Sequence, residues 1–259
     1  MRAVFEPTPL QRNEHLSKRY NANIYLKRED LSPVRSYKLR GALNSMQKCS
    51  DIKHFVCASA GNHAQGVAYM ASQLNVQATI FMPSTTPLQK ISKTKIFGGD
   101  NVETRTVGDY FDECLSAANE FSKKENAYFL SPFDDPDVIE GQGTVAAEIE
   151  SQLGFVPDKI VMPVGGGGLS SGVISYFGKD CEYFLTEPAG AASLKAALAA
   201  GRPTKLDTID NFTDGASVAM IGNLNYKILK NISLSRVLSV PENRICVTML
   251  EMLDIEGIV

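Results

Sequence analysis

Two periods of apolar and polar residues alternate along the chain. Residues Ala22 to Lys27 alternate singly, as in a half-exposed strand. Ser36 to Gln47 follows with Leu39, Ala42, Leu43 and Met46 at helical spacing. His54 to Ala58 is a short continuous apolar run, which predicts a buried strand. A helix is expected from Asn62, with Val67, Ala68, Ala71 and Leu74 on one face. The alternation continues with strands at Ala78–Met82, Val102–Val107 and Tyr128–Leu130. Helices are expected at Pro87–Phe97, Tyr110–Lys124 and Val138–Leu153, the last interrupted near its start by Gly141 and Gly143. Lys159–Val164 reads as an apolar strand running into four glycines. Beyond Gly172 the pattern loosens to a strand at Glu182–Thr186, a helix at Ala191–Ala200, a long connection at Arg202–Gly215 and a helix at Ile245–Leu253. Strands alternating with helices at this spacing predict right-handed crossovers and parallel sheets covered on both faces. Gly257-Ile258-Val259 reads as a turn feeding a new strand, so the domain is expected to continue.

Composition narrows the class. The 259 residues carry a net charge of -3, with 44% hydrophobic and 21% charged residues. Such a chain buries a sizeable core as a globular protein. The acidic balance argues against non-specific nucleic-acid binding. No run is apolar enough for a membrane span or a signal peptide. The five cysteines have no paired spacing, which fits reduced thiols in the cytoplasm.

Three segments carry candidate chemistry, each at an element boundary. Lys38 lies in Ser36-Tyr37-Lys38-Leu39-Arg40-Gly41; by itself it reads as a solvated lysine at a helix start. Ser59-Ala60-Gly61-Asn62-His63 joins a buried strand to a helix, at the sheet edge where ligands collect. That loop reads equally as a helix cap. Gly165-Gly166-Gly167-Gly168-Leu169 offers bare backbone N–H groups and a helix start to an anion such as phosphate. A tight strand-to-helix turn is the plain alternative. The spacing of Gly165, Gly167 and Gly172 fits a dinucleotide fingerprint poorly. A reactive amine, a polar loop and a phosphate cradle together make the set that pyridoxal 5'-phosphate chemistry requires.

These segments resemble the fold-type-II pyridoxal phosphate enzymes, and among them the biosynthetic threonine dehydratases (threonine ammonia-lyases). The matching stretches are Thr8-Pro9-Leu10, Tyr25-Leu26-Lys27-Arg28-Glu29-Asp30, Ser36 to Ala42, Ser59 to Gly66, Thr186-Glu187-Pro188-Ala189-Gly190 and Asp210 to Val218. Leu39 and Thr86-Pro87-Leu88-Gln89-Lys90 lean towards the short biosynthetic form. The resemblance implies that Lys38 forms the Schiff base with pyridoxal 5'-phosphate. It implies that Asn62 contacts the cofactor 3'-oxygen and that Gly165, Gly166, Gly167, Gly168 and Leu169 hold the phosphate. Ser59, Ala60, Gly61 and His63 then receive the substrate carboxylate, and Tyr37 flanks the lysine. The implied fold is α/β, with two open twisted parallel-sheet domains of the tryptophan synthase β type and the cofactor in the cleft. Residues 1–53 and 132–259 would form the large domain and residues 54–131 the small one.

The resemblance further implies dehydration and deamination of L-threonine to 2-oxobutanoate and ammonia, on the way to isoleucine. The implied partners are a small amino-acid substrate and other copies of the chain in a homo-oligomer, with no nucleic acid and no membrane. The chain departs from the family by starting after its first helix and stopping before the serine that meets the pyridine nitrogen. No regulatory domain is expected within it. Ser193 stands where relatives with a divalent-cation site carry an acid, so no metal is expected there. The alternatives are an L-serine or catabolic threonine dehydratase, a β-replacement enzyme such as a cysteine synthase, and an inactive truncated remnant. The asparagine loop argues against the cysteine synthase.

Overall fold

A computed structural model of the protein describes residues 4–258. They divide into two compact units, one running to Phe155 and the other from Val156.

The first unit opens with a short antiparallel ladder, β1 (Leu10–Arg12) against β2 (Tyr25–Lys27), around helix α1 (Glu14–Tyr20). The Asn13 side chain caps α1 by accepting from the Leu16 N–H at 2.7 Å. Neither β1 nor α1 is legible in the sequence pattern, because three to seven residues are too few to establish a period. The strand expected from Ala22 begins only at Tyr25. Residues before it are tied to the end of α1: the Ala22 N–H reaches Ser17 O and the Ile24 N–H reaches Ser17 Oγ.

Helix α2 (Lys38–Lys48) leads into the main sheet of the unit. Strands β3 (His54–Ala58), β4 (Gln77–Met82), β5 (Val102–Thr106) and β6 (Tyr128–Phe129) pair in the order β5-β4-β3-β6, all parallel. Between them run α3 (Asn62–Leu74), α4 (Leu88–Gly98) and α5 (Phe111–Lys124). Side chains alternate across β3 with a period of two. Phe55 and Cys57 join a core with Leu39, Ala42 and Leu43 of α2 and Ala64, Val67 and Ala68 of α3. Val56 and Ala58 join a second core with Cys114 and Ala118 of α5.

Helix α6 (Pro136–Leu153) completes the unit. It starts two residues before the sequence expectation, because Asp135 caps it and Pro136 suits a first helical position. Gly141 and Gly143 do not interrupt it. At Gly141 a Cβ would lie 2.6 Å from both Arg40 O and Gly41 Cα, so glycine there admits α2 rather than breaking α6.

The second unit holds a parallel sheet in the order β7 (Lys159–Pro163), β8 (Glu182–Pro188), β9 (Val237–Val240). Helix α7 (Gly168–Phe177) follows β7 and α8 (Ser193–Ala200) follows β8. The long connection from Arg202 leads to α9 (Asn223–Leu229), then β9 and α10 (Glu242–Glu256). The sequence pattern shows neither α9 nor β9; each is short, and Asn and Lys dilute the apolar period of α9. Helix α10 is longer than expected, starting directly after Pro241 and closing at Gly257 with φ 64°. Of the turn expected at residues 257–259, Gly257 caps this helix and Val259 lies outside the described residues.

Candidate active site

Lys38 opens α2, and its position is closely determined. The chain reaches it through Arg35, which holds a left-handed φ of 59°. On one side, α3 approaches so closely that a Cβ on Gly66 would lie 3.0 Å from the Lys38 carbonyl carbon. On the other side, Gly41 and Gly141 let α2 and α6 touch through their backbones. The Lys38 amine donates to the Pro132 carbonyl at 2.8 Å. It lies 5.5 Å from the centre of the Tyr37 ring and 5.9 Å from that of Phe133. Burial disfavours its charge and brings its pKa down to about 8. About a tenth of this amine is therefore neutral at pH 7, far more than of an ordinary lysine. Burial, followed by the Glu29 charge, pushes the Tyr37 phenol up to about 12, so it stays protonated.

The polar loop follows β3 in the same unit. The Ser59 N–H is held by Phe81 O at 2.9 Å, and Ser59 Oγ accepts from the Gly61 N–H at 3.2 Å. Ala60 lies between them, without a polar side chain. Asn62 is the first residue of α3, whose start has no side-chain cap. The first-turn N–H groups of Asn62, His63 and Ala64 therefore point along the helix with no intrahelical acceptor, an arrangement suited to an anion. His63 is buried, and its Nε2 meets the Leu130 carbonyl at 3.0 Å. Burial, and next the Lys38 charge, lower its pKa to about 3. The ring is thus neutral and Nε2–H is the donor. What His63 offers an anion is its backbone N–H and not a cationic ring.

The loop after β6 ties these groups together, a role the sequence did not signal. Leu130 O receives His63 and Pro132 O receives Lys38. Both acceptors are backbone atoms, for which residue type carries no clue.

In the second unit, the glycine run forms the turn from β7 into α7. The Val164 N–H bonds to Thr186 O at 2.8 Å, which holds the end of the turn on β8. A Cβ on Gly165 would lie 3.0 Å from Ala216 O, and one on Gly167 would lie 2.7 Å from Asn225 Cβ. Gly167 also has φ 95°. Glycine is required at Gly167 by space and by conformation, and a Cβ on Gly165 would press on the backbone at Ala216. The Gly222 N–H returns to Gly166 O at 3.1 Å. Gly168 and Leu169 start α7, which has no side-chain cap. Ser171 Oγ is buried there with no hydrogen-bond partner among the described residues. Side chains are excluded from the turn while N–H groups stay available, which fits a phosphate group. Further along, the buried Glu187 carboxylate caps α8 through the Leu194 and Lys195 N–H groups at 2.6 and 3.0 Å.

Known proteins agree with these features. The family model of pyridoxal-phosphate dependent enzymes matches residues 2–259. The biosynthetic L-threonine dehydratase of Lactococcus lactis is 50% identical over 268 residues. That similarity takes in 100% of this chain, which spans only 64% of the relative's length. The processed form of threonine deaminase isoform 2 from Solanum lycopersicum superposes with a TM-score of 0.89 at 39% identity, over 97% of this chain and 70% of that one. Maize serine racemase also gives a TM-score of 0.89, at 26% identity, over 97% of this chain and 78% of that one. These matches bear out the α/β, fold-type-II architecture expected from the sequence. A half-buried lysine of lowered pKa and a tight glycine turn accompany a family match over nearly the full length, which shows that the chain belongs to the pyridoxal-phosphate dependent enzyme family.

Proposed function

We propose that this chain serves the dehydration and deamination of L-threonine to 2-oxobutanoate and ammonia, with Lys38 as the catalytic residue. The observation that carries the reading is the Lys38 amine, held on the Pro132 carbonyl and about half neutral near pH 8. The 50% identity to a biosynthetic threonine dehydratase supports the substrate. In this reading Lys38 carries the cofactor and Asn62 meets its 3'-oxygen. Gly165, Gly166, Gly167, Gly168 and Leu169 hold its phosphate. Bound pyridoxal phosphate supplies the electron sink that makes the substrate Cα–H acidic. Lys38 Nζ, freed once the substrate amine takes its place on the cofactor, would take that proton as a neutral amine. Ser59, Ala60, Gly61 and the N–H groups at the start of α3 orient the substrate carboxylate, and His63 holds the loop against Leu130. The β-hydroxyl leaves as water and one water returns as the nitrogen departs, so the net loss is ammonia.

The same proposal includes a small domain of residues 54–131; the four-stranded sheet, which runs from His54 to Phe129, supports it. It also includes a homo-oligomer in the cytoplasm. Five free cysteines fit a reducing compartment. No helix among the described residues is long and apolar enough to cross a membrane.

The test is borohydride reduction of the chain with pyridoxal phosphate, followed by peptide mapping and a 2-oxobutanoate assay. A pyridoxyl label confined to the Lys38 peptide, lost in Lys38→Ala, is the expected result. Label elsewhere with none on Lys38 overturns the assignment. A second reading, with L-serine as substrate, draws on the likeness to maize serine racemase. Faster formation of pyruvate from serine than of 2-oxobutanoate from threonine would select it.

A further inference from the structure

Arg40, two residues beyond Lys38, is completely buried. It makes two forks at once. Nε and Nη2 donate to Glu29 at 2.9 and 2.8 Å, and Nη1 and Nη2 donate to Glu148 at 2.7 and 2.8 Å. Thr144 and Thr8 hydroxyls each accept a further contact at 3.2 Å. Glu148 also binds Lys27 at 2.6 Å, so two cations face two carboxylates and the cluster is neutral overall. The Phe5 ring closes it, 5.4 Å from the guanidinium carbon. Three elements meet here: the first turn of α2, the 3-10 turn at Glu29–Leu31 and the middle of α6.

We propose that Arg40 is a positioning residue for Lys38: its two forks set the rotation and height of the first turn of α2, and so hold the Lys38 amine on the Pro132 carbonyl. The geometry of a helix supplies the link. Residues two apart point roughly 200° away from each other around the axis. Arg40 is thus anchored on one side of α2 while Lys38 projects from the other, and any roll of the turn moves both. A bidentate guanidinium resists such a roll because both forks are planar and directional. A lysine at the same place keeps the charge but not the geometry.

The groups that face the Lys38 amine are the Pro132 carbonyl, the Tyr37 and Phe133 rings and neutral His63 on α3. Enclosure therefore governs how readily that amine gives up its proton. If Arg40 sets the enclosure, loosening the fork admits water and raises the midpoint.

The inference rests on Lys38 being the reactive amine, but its test does not need the cofactor. The 259-residue chain without pyridoxal phosphate is treated with acetic anhydride across a pH series, and acylation of the Lys38 peptide is read by mass spectrometry. The wild-type midpoint is expected near 8. Arg40→Lys is expected to raise it by about one pH unit or more while cooperative melting persists. Should Arg40→Lys not fold, Glu29→Gln, which leaves the Glu148 fork intact, carries the same expectation. A variant that melts earlier yet keeps the wild-type Lys38 midpoint overturns the proposal, since the cluster would then serve stability alone. Absence of a pyridoxyl label on wild-type Lys38 would count against the functional reading and leave this titration to score Arg40 independently.

Discussion

Strands β3 and β7 look alike as sequence, yet the molecule uses them differently. Each is a five-residue run, His54–Ala58 and Lys159–Pro163, and each leads into a loop proposed to bind a ligand. Strand β3 lies inside its sheet, between β4 and β6, and four of its five residues are buried. Strand β7 lies at the edge of its sheet, and Val161 at its centre is 68% exposed. Likewise α2 buries seven residues, whereas α10 buries none and leaves Val247, Met249, Leu250, Leu253 and Ile255 exposed. Hydrophobicity states that a segment prefers cover. It does not state whether its neighbours in space provide that cover.

The comparison is broken most severely at the α2 anchor. Glu148→Ala leaves Arg40 with one fork and Lys27 without its carboxylate; we expect a loss of about 3–5 kcal/mol in denaturant unfolding. A loss under about 1 kcal/mol would mean the cluster is not the anchor described here. Next in size is Val56→Ala, which opens a cavity between β3 and α5 and should cost about 2–3 kcal/mol.

His63 provides a pH test. Its folded pKa of about 3 is depressed from 6.5, so the unfolded chain binds the extra proton first as pH falls. Stability should therefore fall between about pH 6.5 and 3, by at most about 1.4 kcal/mol per pH unit from this residue. His63→Gln should flatten that part of the stability–pH curve, as measured by urea titrations at several pH values. An unchanged slope would show that the ring is not held neutral. The smallest effect is expected at Val161→Lys. It should change stability by no more than about 0.5 kcal/mol while lowering the tendency of the open edge to associate, as read by light scattering.

The three segments proposed to bind ligands were legible because each departs from its local pattern. Lys38 stands at a helix start, the Ser59–His63 loop breaks an apolar run into a helix, and four consecutive glycines follow a strand. Chemistry that depends on residue type at an element boundary leaves such a trace. The acceptors of Lys38 and His63 left none, because the carbonyls of Pro132 and Leu130 would be the same atoms on any residue. Gly141 misled for a related reason. Read along the chain it is a helix breaker, but read in space it is the contact point of two helices.

By itself the sequence determined the alternation of strands and helices, the parallel sheets and the candidate lysine and glycine turn, since all of these follow from local period and residue type. Only the tertiary structure decided that Lys38 loses most of its affinity for a proton, that Arg40 joins Glu29 to Glu148, and that β3 is covered while β7 is not. The first two outcomes depend on segments more than 90 residues apart meeting at hydrogen-bonding distance, as Lys38 meets Pro132 and Arg40 meets Glu148. Burial, not residue type, then sets charge and stability.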